Sequence, residues 1–328
     1  MEAIAERNVV LDKLVKFWVS VRKYGVFLGL FGLCIFLSIA SPHFLTANNI
    51  LNVIRQSSII GIMGIGMTFV ILTGGIDLSV GSVLAISSVC ASYAMVTLNL
   101  PVTVGLISGL VIGIAFGIAI GLLITKIGLP PFISTLAAMS IARGLVMVIT
   151  GGRPIFGLPK AFAWFGGGYV GFIPAPVIIM AVLYVLAFIV LNKTRLGLYA
   201  YSIGGNEEAT RLSGVNTDKY KIIIYAISGL TAAISGLVLA SRLRSAQPLA
   251  GLTYELDVIA ACVIGGISLT GGSGSLVGTL GGALVITVLR NGLNLLNVSA
   301  YWQQVGIGVV IAVAVAIDTM RKKKGAQV

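Results

Sequence analysis

The chain has 328 residues, 57% of them hydrophobic and only 10% charged, with a net charge of +12 and a mean hydropathy of +1.05. Ordinary soluble domains carry about 25% charged residues, so the composition excludes a soluble globular enzyme, a disordered chain and a disulfide-stapled secreted domain. What is left is an all-α polytopic membrane protein. A helical crossing takes about 20 residues, which leaves room for roughly eight to eleven of them.

Residues 1–24 carry Arg7, Lys13, Lys16, Arg22 and Lys23 and read as a basic cytoplasmic tail. The stretch VVLDKLVKFWV within it has the make-up of an amphipathic helix on the inner membrane face, and equally of a solvated tail. The first apolar run, 25–41, lacks a small-x-small cleavage site followed by a polar mature domain, so it reads as a retained crossing. Nine more runs follow, at 57–73, 79–98, 101–124, 133–150, 175–191, 222–241, 256–271, 275–296 and 303–319. Together they make about ten crossings in one transmembrane domain, 25–319. Several are short for a core of about 30 Å, which predicts broken or re-entrant helices. Residues 320–328 close the chain as a second basic tail with Arg321, Lys322, Lys323 and Lys324.

The charge is split into short blocks between apolar runs, which is a topology signal and not a nucleic-acid footprint. Both tails and the block 192–221 fall on the cytoplasmic side if the number of crossings is even. That register leaves Arg55, Arg153, Lys160, Arg242 and Arg244 outside, with Arg143 and Arg290 inside crossings.

Cys34, Cys90 and Cys262 all lie in apolar runs and read as packing residues. His43 is the single histidine, so no histidine cluster exists for a metal or for catalysis. Glycines Gly105, Gly109, Gly113, Gly117 and Gly121 recur every four residues, a spacing that lets helices approach closely. The spacing fits a seam within one bundle and a subunit interface alike. GGIDLSVGS at 74–82 is echoed by GGISLTGGS at 265–273. Both mark expected helix breaks.

Gly74, Gly75, Asp77 and Ser79 are therefore candidates for a break or a pathway, with Asp77 placed to cap the helix that follows. Arg143 suits a structural partner inside the bundle. Glu255 and Asp257 stand at the outer start of a run, where they stabilise a helix N-terminus or meet basic residues of a partner. Asn291, Asn294 and Asn297 recur every three residues near one helical face. They either line a polar pathway or bridge helices. Tyr301 and Trp302 suit interfacial anchors.

No GxxxxGK[ST] phosphate loop occurs, so ATP hydrolysis is not expected of this chain. Intramembrane carboxylates are too few for many proton-coupled carriers. The loop from Thr194 to Lys221 contains NEEATRLSGVN. Asn206 is placed to cap a short helix, Glu207 and Glu208 stand in its first turn, and Gly214 is placed to stop it.

This loop resembles the coupling segment of ABC-importer permeases, and specifically of the ribose/galactose-type monosaccharide permeases. SPHFLTANNILN at 41–52, GMTFVILTGGIDLSVGS at 66–82, PPFISTLAAMSIARG at 130–144, YELDVIAACVIGGISLTGGSGSLVGT at 254–279 and NGLNLLNVSAYWQ at 291–303 resemble the same family in the same order. Arg290 departs from the Asn expected beside NGLNLL. The resemblance implies a multi-pass permease of the bacterial inner membrane with no cofactor of its own. It implies a separate ABC ATPase subunit carrying Mg-ATP, a periplasmic or lipid-anchored sugar-binding protein, and a second permease copy or paralogue. It also implies that Glu207, Glu208, Ala209, Arg211, Leu212, Ser213 and Gly214 contact the ATPase, and makes Glu255 and Asp257 candidate contacts of the binding protein.

Overall fold

The computed structural model describes residues 25–325. The tail 1–24, with its interfacial-helix expectation, and residues 326–328 lie outside the described residues. In chain order the helices are α1 (Gly25–Ala40), α2 (Ala47–Leu72), α3 (Val80–Val96), α4 (Val102–Leu122, continued by a π turn over Leu123–Ile127), α5 (Pro131–Thr150) and α6 (Lys160–Gly167). They continue as α7 (Ala175–Lys193), α8 (Arg195–Gly205), α9 (Glu207–Leu212), α10 (Thr217–Leu243), α11 (Tyr254–Ile264), α12 (Leu276–Leu295) and α13 (Ala300–Gly325). Two small antiparallel strand pairings complete the described residues. Strand β1 (Ile155–Phe156) pairs antiparallel with β4 (Ser245–Ala246), and β2 (Tyr169–Val170) with β3 (Ile173–Pro174).

Among the described residues, six helices are long and apolar enough to cross a membrane: α2, α4 with its π turn, α5, α7, α10 and α12. Helices α1 and α3 and the stretch Ala300–Val313 of α13 are apolar but shorter. Each predicted apolar run falls on a helix, but not each on a membrane-length one. The run 256–271 is the clearest correction. Helix α11 has 11 residues, about 16 Å at 1.5 Å per residue, roughly half of a ~30 Å core. It stops because Gly266, Gly271, Gly272 and Gly274 take positive φ, which only glycine adopts without strain. The run 57–73 errs the other way. Helix α2 begins ten residues earlier because its polar first turns find polar partners: Asn49 bonds Asn291, and Asn52 accepts from Arg242.

Helices α2 and α10 form the centre, α10 packing on α2, α3, α4 and α6. Fully buried side chains include Met63, Met67 and Phe69 of α2 and Tyr225 of α10, and the two helices meet where Gly66 lies against Ser228 and Thr231. The glycine stripe closes a seam inside the chain. Of α4, only the five glycines and Ile120 are buried. A Cβ on Gly113 would meet Ala233 Cβ and Gly229 O at 2.5 Å, and one on Gly117 would overlap Tyr225 O. Backbone contact replaces side-chain interlock along this seam, which is how helices gain dispersion energy where lipid offers no hydrophobic drive. The opposite face of α4 exposes Val104, Ile107, Val111 and Ile118, as a lipid-facing surface would. The cysteines are packing residues: Cys262 is fully buried, and Cys34 and Cys90 lean on apolar clusters.

Candidate coupling surface and translocation pathway

The loop after α7 folds into two short helices, and its local rules are those of the sequence. The Oδ1 of Asn206 accepts from the Ala209 N–H at 2.9 Å, capping α9. At the other end Gly214 has φ +84°. Its N–H reaches Arg211 O, and the Val215 N–H reaches Thr210 O. This is the paired closure of a helix by a left-handed residue. Glu207 accepts from Arg211 at 3.3 Å and from Lys221 at 2.5 Å, tying α9 to the start of α10. Thr210 is buried beneath the helix. Glu208, Ala209, Arg211, Leu212, Ser213 and Gly214 form the outward surface, and Leu212 is 82% exposed.

The two glycine-rich breaks meet one another beside α8. The Gly272 N–H donates to Leu72 O at 2.9 Å. A Cβ on Gly204 of α8 would overlap Leu72 O and reach Gly272 N at 2.5 Å, so α8 lies against both breaks at once. Tyr201 of α8 donates to Gly274 O at 2.9 Å. The echo keeps one local feature. Asp77 accepts from Ser79 Oγ, and Ser268 bonds Thr270 through their hydroxyls, each two residues apart. Its glycines differ: Gly74 is left-handed while its counterpart Gly265 is right-handed.

Asp77 is buried. Its Oδ1 accepts from the N–H and Oγ of Ser79 at 2.9 and 2.6 Å, and its Oδ2 from Ser228 Oγ of α10 at 2.7 Å. Asp77 does not itself cap α3: the N-cap is Ser79, which has no side-chain cap bond, and Asp77 holds that residue from two positions upstream. The carboxylate organises the turn before α3 and staples it to α10.

At the opposite end of the bundle, α2, α10, α11, α12 and α13 enclose a cavity of about 420 Å³. Ile59, Leu239 and Ile286 give it an aliphatic wall, while Gln56, Arg242, Tyr254, Asp257, Thr287, Arg290, Asn294 and Gln303 bring polar groups to it. Asp257 is buried, its Oδ1 accepting from Arg290 at 2.8 Å. Its Oδ2 and the Arg290 Nε have no partner within the described residues. Glu255 is half-buried and, unlike Tyr254 and Asp257 on either side of it, does not line the cavity. Arg143 has the structural role expected, donating to the carbonyls of Pro248 and Ala250 at 2.8 and 3.0 Å and pinning the segment that leads into α11.

The three asparagines separate. Asn291 bridges α12 to α2 through paired amide bonds with Asn49, at 2.7 and 3.0 Å. Asn294 lines the cavity and accepts from Gln303. Asn297 stands past the end of α12 with φ +56° and serves as its left-handed stop. Sequence reading missed Gln56, Arg242, Tyr254, Thr287 and Gln303 as members of one site. The available signal was polar residues at the ends of neighbouring apolar runs.

The family described as the branched-chain amino acid transport system permease component matches residues 49–315. The chain belongs to this permease family. Among curated relatives, the ribose import permease protein of Bacillus subtilis is 51% identical over 95% of this chain and 97% of its own length. The ribose import permease protein of Escherichia coli K12 is 45% identical over 87% of this chain and 90% of its own. The D-allose transport system permease protein of the same strain is 37% identical over 94% of each. No solved structure matches. The permease is a multi-pass protein of the inner membrane, and its relatives are transport components, not enzymes.

Proposed function

We propose that this permease is the membrane-spanning subunit of an ATP-driven monosaccharide importer, with ribose as its substrate. The observation that carries the reading is the 51% identity to a ribose import permease across nearly the whole of both chains. The exposed, doubly capped α9 supports the coupling role. In this reading Glu207 through Gly214 meet a separate ATPase that holds Mg-ATP, and closure of the ATPase moves α9 and α8. A binding protein delivers sugar at the far end, where half-exposed Glu255 remains the contact candidate; burial of Asp257 turns that residue inward. Two permease subunits stand side by side on the ATPases.

The crossings are then α1 to α5, α7 and α10 to α13, with α11 as a half-helix and both chain ends cytoplasmic. The contacts along α10 fit this alternation. Gly121, Gly117, Gly113 and Gly109 of α4 meet Ile222, Tyr225, Gly229 and Leu237 in turn, so α4 and α10 run in opposite directions.

The test is reconstitution. The permease, its copurifying ATPase and the cognate binding protein go into vesicles, and uptake of labelled ribose is followed. Uptake that needs both ATP and the binding protein is the expected result. Uptake driven by a proton gradient without ATP overturns the importer reading. ATP-driven uptake of leucine in place of ribose overturns the substrate.

A further inference from the structure

The cavity beside α11 has a chemistry that nothing above assigns. We propose that it is a sugar-binding station inside one permease subunit, organised around the free carboxylate oxygen of Asp257, and it rests on the monosaccharide reading. A sugar hydroxyl both donates and accepts. Asp257 lines the cavity and carries an unpartnered acceptor, Oδ2, sealed from solvent on a side chain only 1% exposed, so a hydroxyl reaches it by displacing the wall beside it. It offers donors in Arg290, whose Nε is unpartnered, and in Arg242, which otherwise bonds Asn52. Asn294 and Gln56 add amides at its wall. The aliphatic side of the cavity suits the C–H face of a sugar ring.

Size and charge narrow the ligand. About 420 Å³ lies within the ~300–1,000 Å³ of small-molecule sites. Asp257 and Arg290 are committed to one another at 2.8 Å, and the other charged side chain of the lining, Arg242, is a cation, so the ammonium of an amino acid finds no carboxylate here that is not already paired. A neutral polyol needs neither. The orphaned Oδ2 also explains why a buried ion pair stands here at all. An unsatisfied charged oxygen is costly in the ligand-free state, and a hydroxyl donor removes that cost. Binding stays weak because the remaining donors are partly engaged already, which suits a station that must release its cargo.

The experiment uses the detergent-purified permease without its ATPase, and saturation-transfer NMR with D-ribose or L-leucine as the probe. The expected result is transfer to ribose ring protons and none to leucine. Asn294→Leu, on the exposed rim, weakens the ribose response about fivefold, the equivalent of one neutral hydrogen bond. Asp257→Asn, if it folds, weakens it further. In reconstituted importer, Asn294→Leu raises the half-saturating concentration of binding-protein-bound ribose or lowers the maximal rate, with ATPase assembly intact. Equal transfer in wild type and Asn294→Leu overturns the site, as does transfer to leucine alone. A wild-type importer that takes up ribose but shows no transfer overturns the station and leaves the proposed function standing. Absence of ribose uptake by wild type overturns the function itself.

Discussion

Gly214 allows the coupling role of α9 to be tested through backbone conformation alone. Its φ is +84° and no atom lies within 4 Å of the position a Cβ would take. A side chain at 214 therefore meets no steric obstacle within the subunit. The whole effect of Gly214→Leu is the cost of holding an L-residue in the left-handed region, about 1–2 kcal/mol. That cost weakens the closure made by the Gly214 and Val215 N–H groups and lets the last turn of α9 relax. If the ATPase recognises α9 only in its closed form, the competent population falls by about 5- to 30-fold at equal protein. Asn tolerates the same φ and serves as the control, at a loss of about twofold or less. The assay is ribose uptake divided by ATP hydrolysis in vesicles holding matched amounts of permease. The expected order is wild type, Asn, then Leu. A Leu variant equal to wild type refutes the reasoning. An Asn variant as impaired as Leu also refutes it, because the exclusion is then steric at the ATPase surface and not conformational.

Four further outcomes are expected. Leu212→Asp, at a position 82% exposed, removes copurifying ATPase while leaving the thermal midpoint of the isolated permease unchanged. Gly113→Val forces α4 away from Ala233 and Gly229 and destabilises by about 1–3 kcal/mol or more, read as a lower thermal midpoint in detergent. Gly144→Ala on α5, with nothing within 4 Å, leaves that midpoint unchanged or raises it, since alanine favours the helix by up to about 1 kcal/mol. Ser228→Ala strips Asp77 Oδ2 of its donor and costs about 1–3 kcal/mol; thermal stability equal to wild type counts against the staple between α3 and α10.

Local chemistry was legible in the sequence wherever one short segment decides it. Asn206 and Gly214 close α9 because capping depends on three or four neighbouring residues. The breaks at 73–79 and 265–275 follow from their glycines, and the stripe on α4 from its period. What was not legible depends on distant partners. The start of α2 looks like a polar loop until Asn49 and Asn52 meet Asn291 and Arg242, more than 180 positions away. Asp257 reads as a surface acid because its partner Arg290 lies on another helix. The glycine stripe was legible as a contact but not as to its partner, since period carries no information about which helix fills the groove. Helix α11 was overextended because an apolar average does not register a glycine-imposed turn inside it.

The placement of Gly204 has a mechanical consequence. Its backbone touches Leu72 at the end of one broken helix and Gly272 within the other break, with no side chain in between to absorb a displacement. On the coupling role proposed for α9, helix α8 would work as a yoke: a push delivered to α9 would be shared between two hinges that are nearly 200 residues apart in sequence, and the α2–α3 and α11–α12 arms would swing together. A bulkier residue at 204 would throw both arms out of step at a single stroke, which makes this glycine a more sensitive point of failure than either hinge alone.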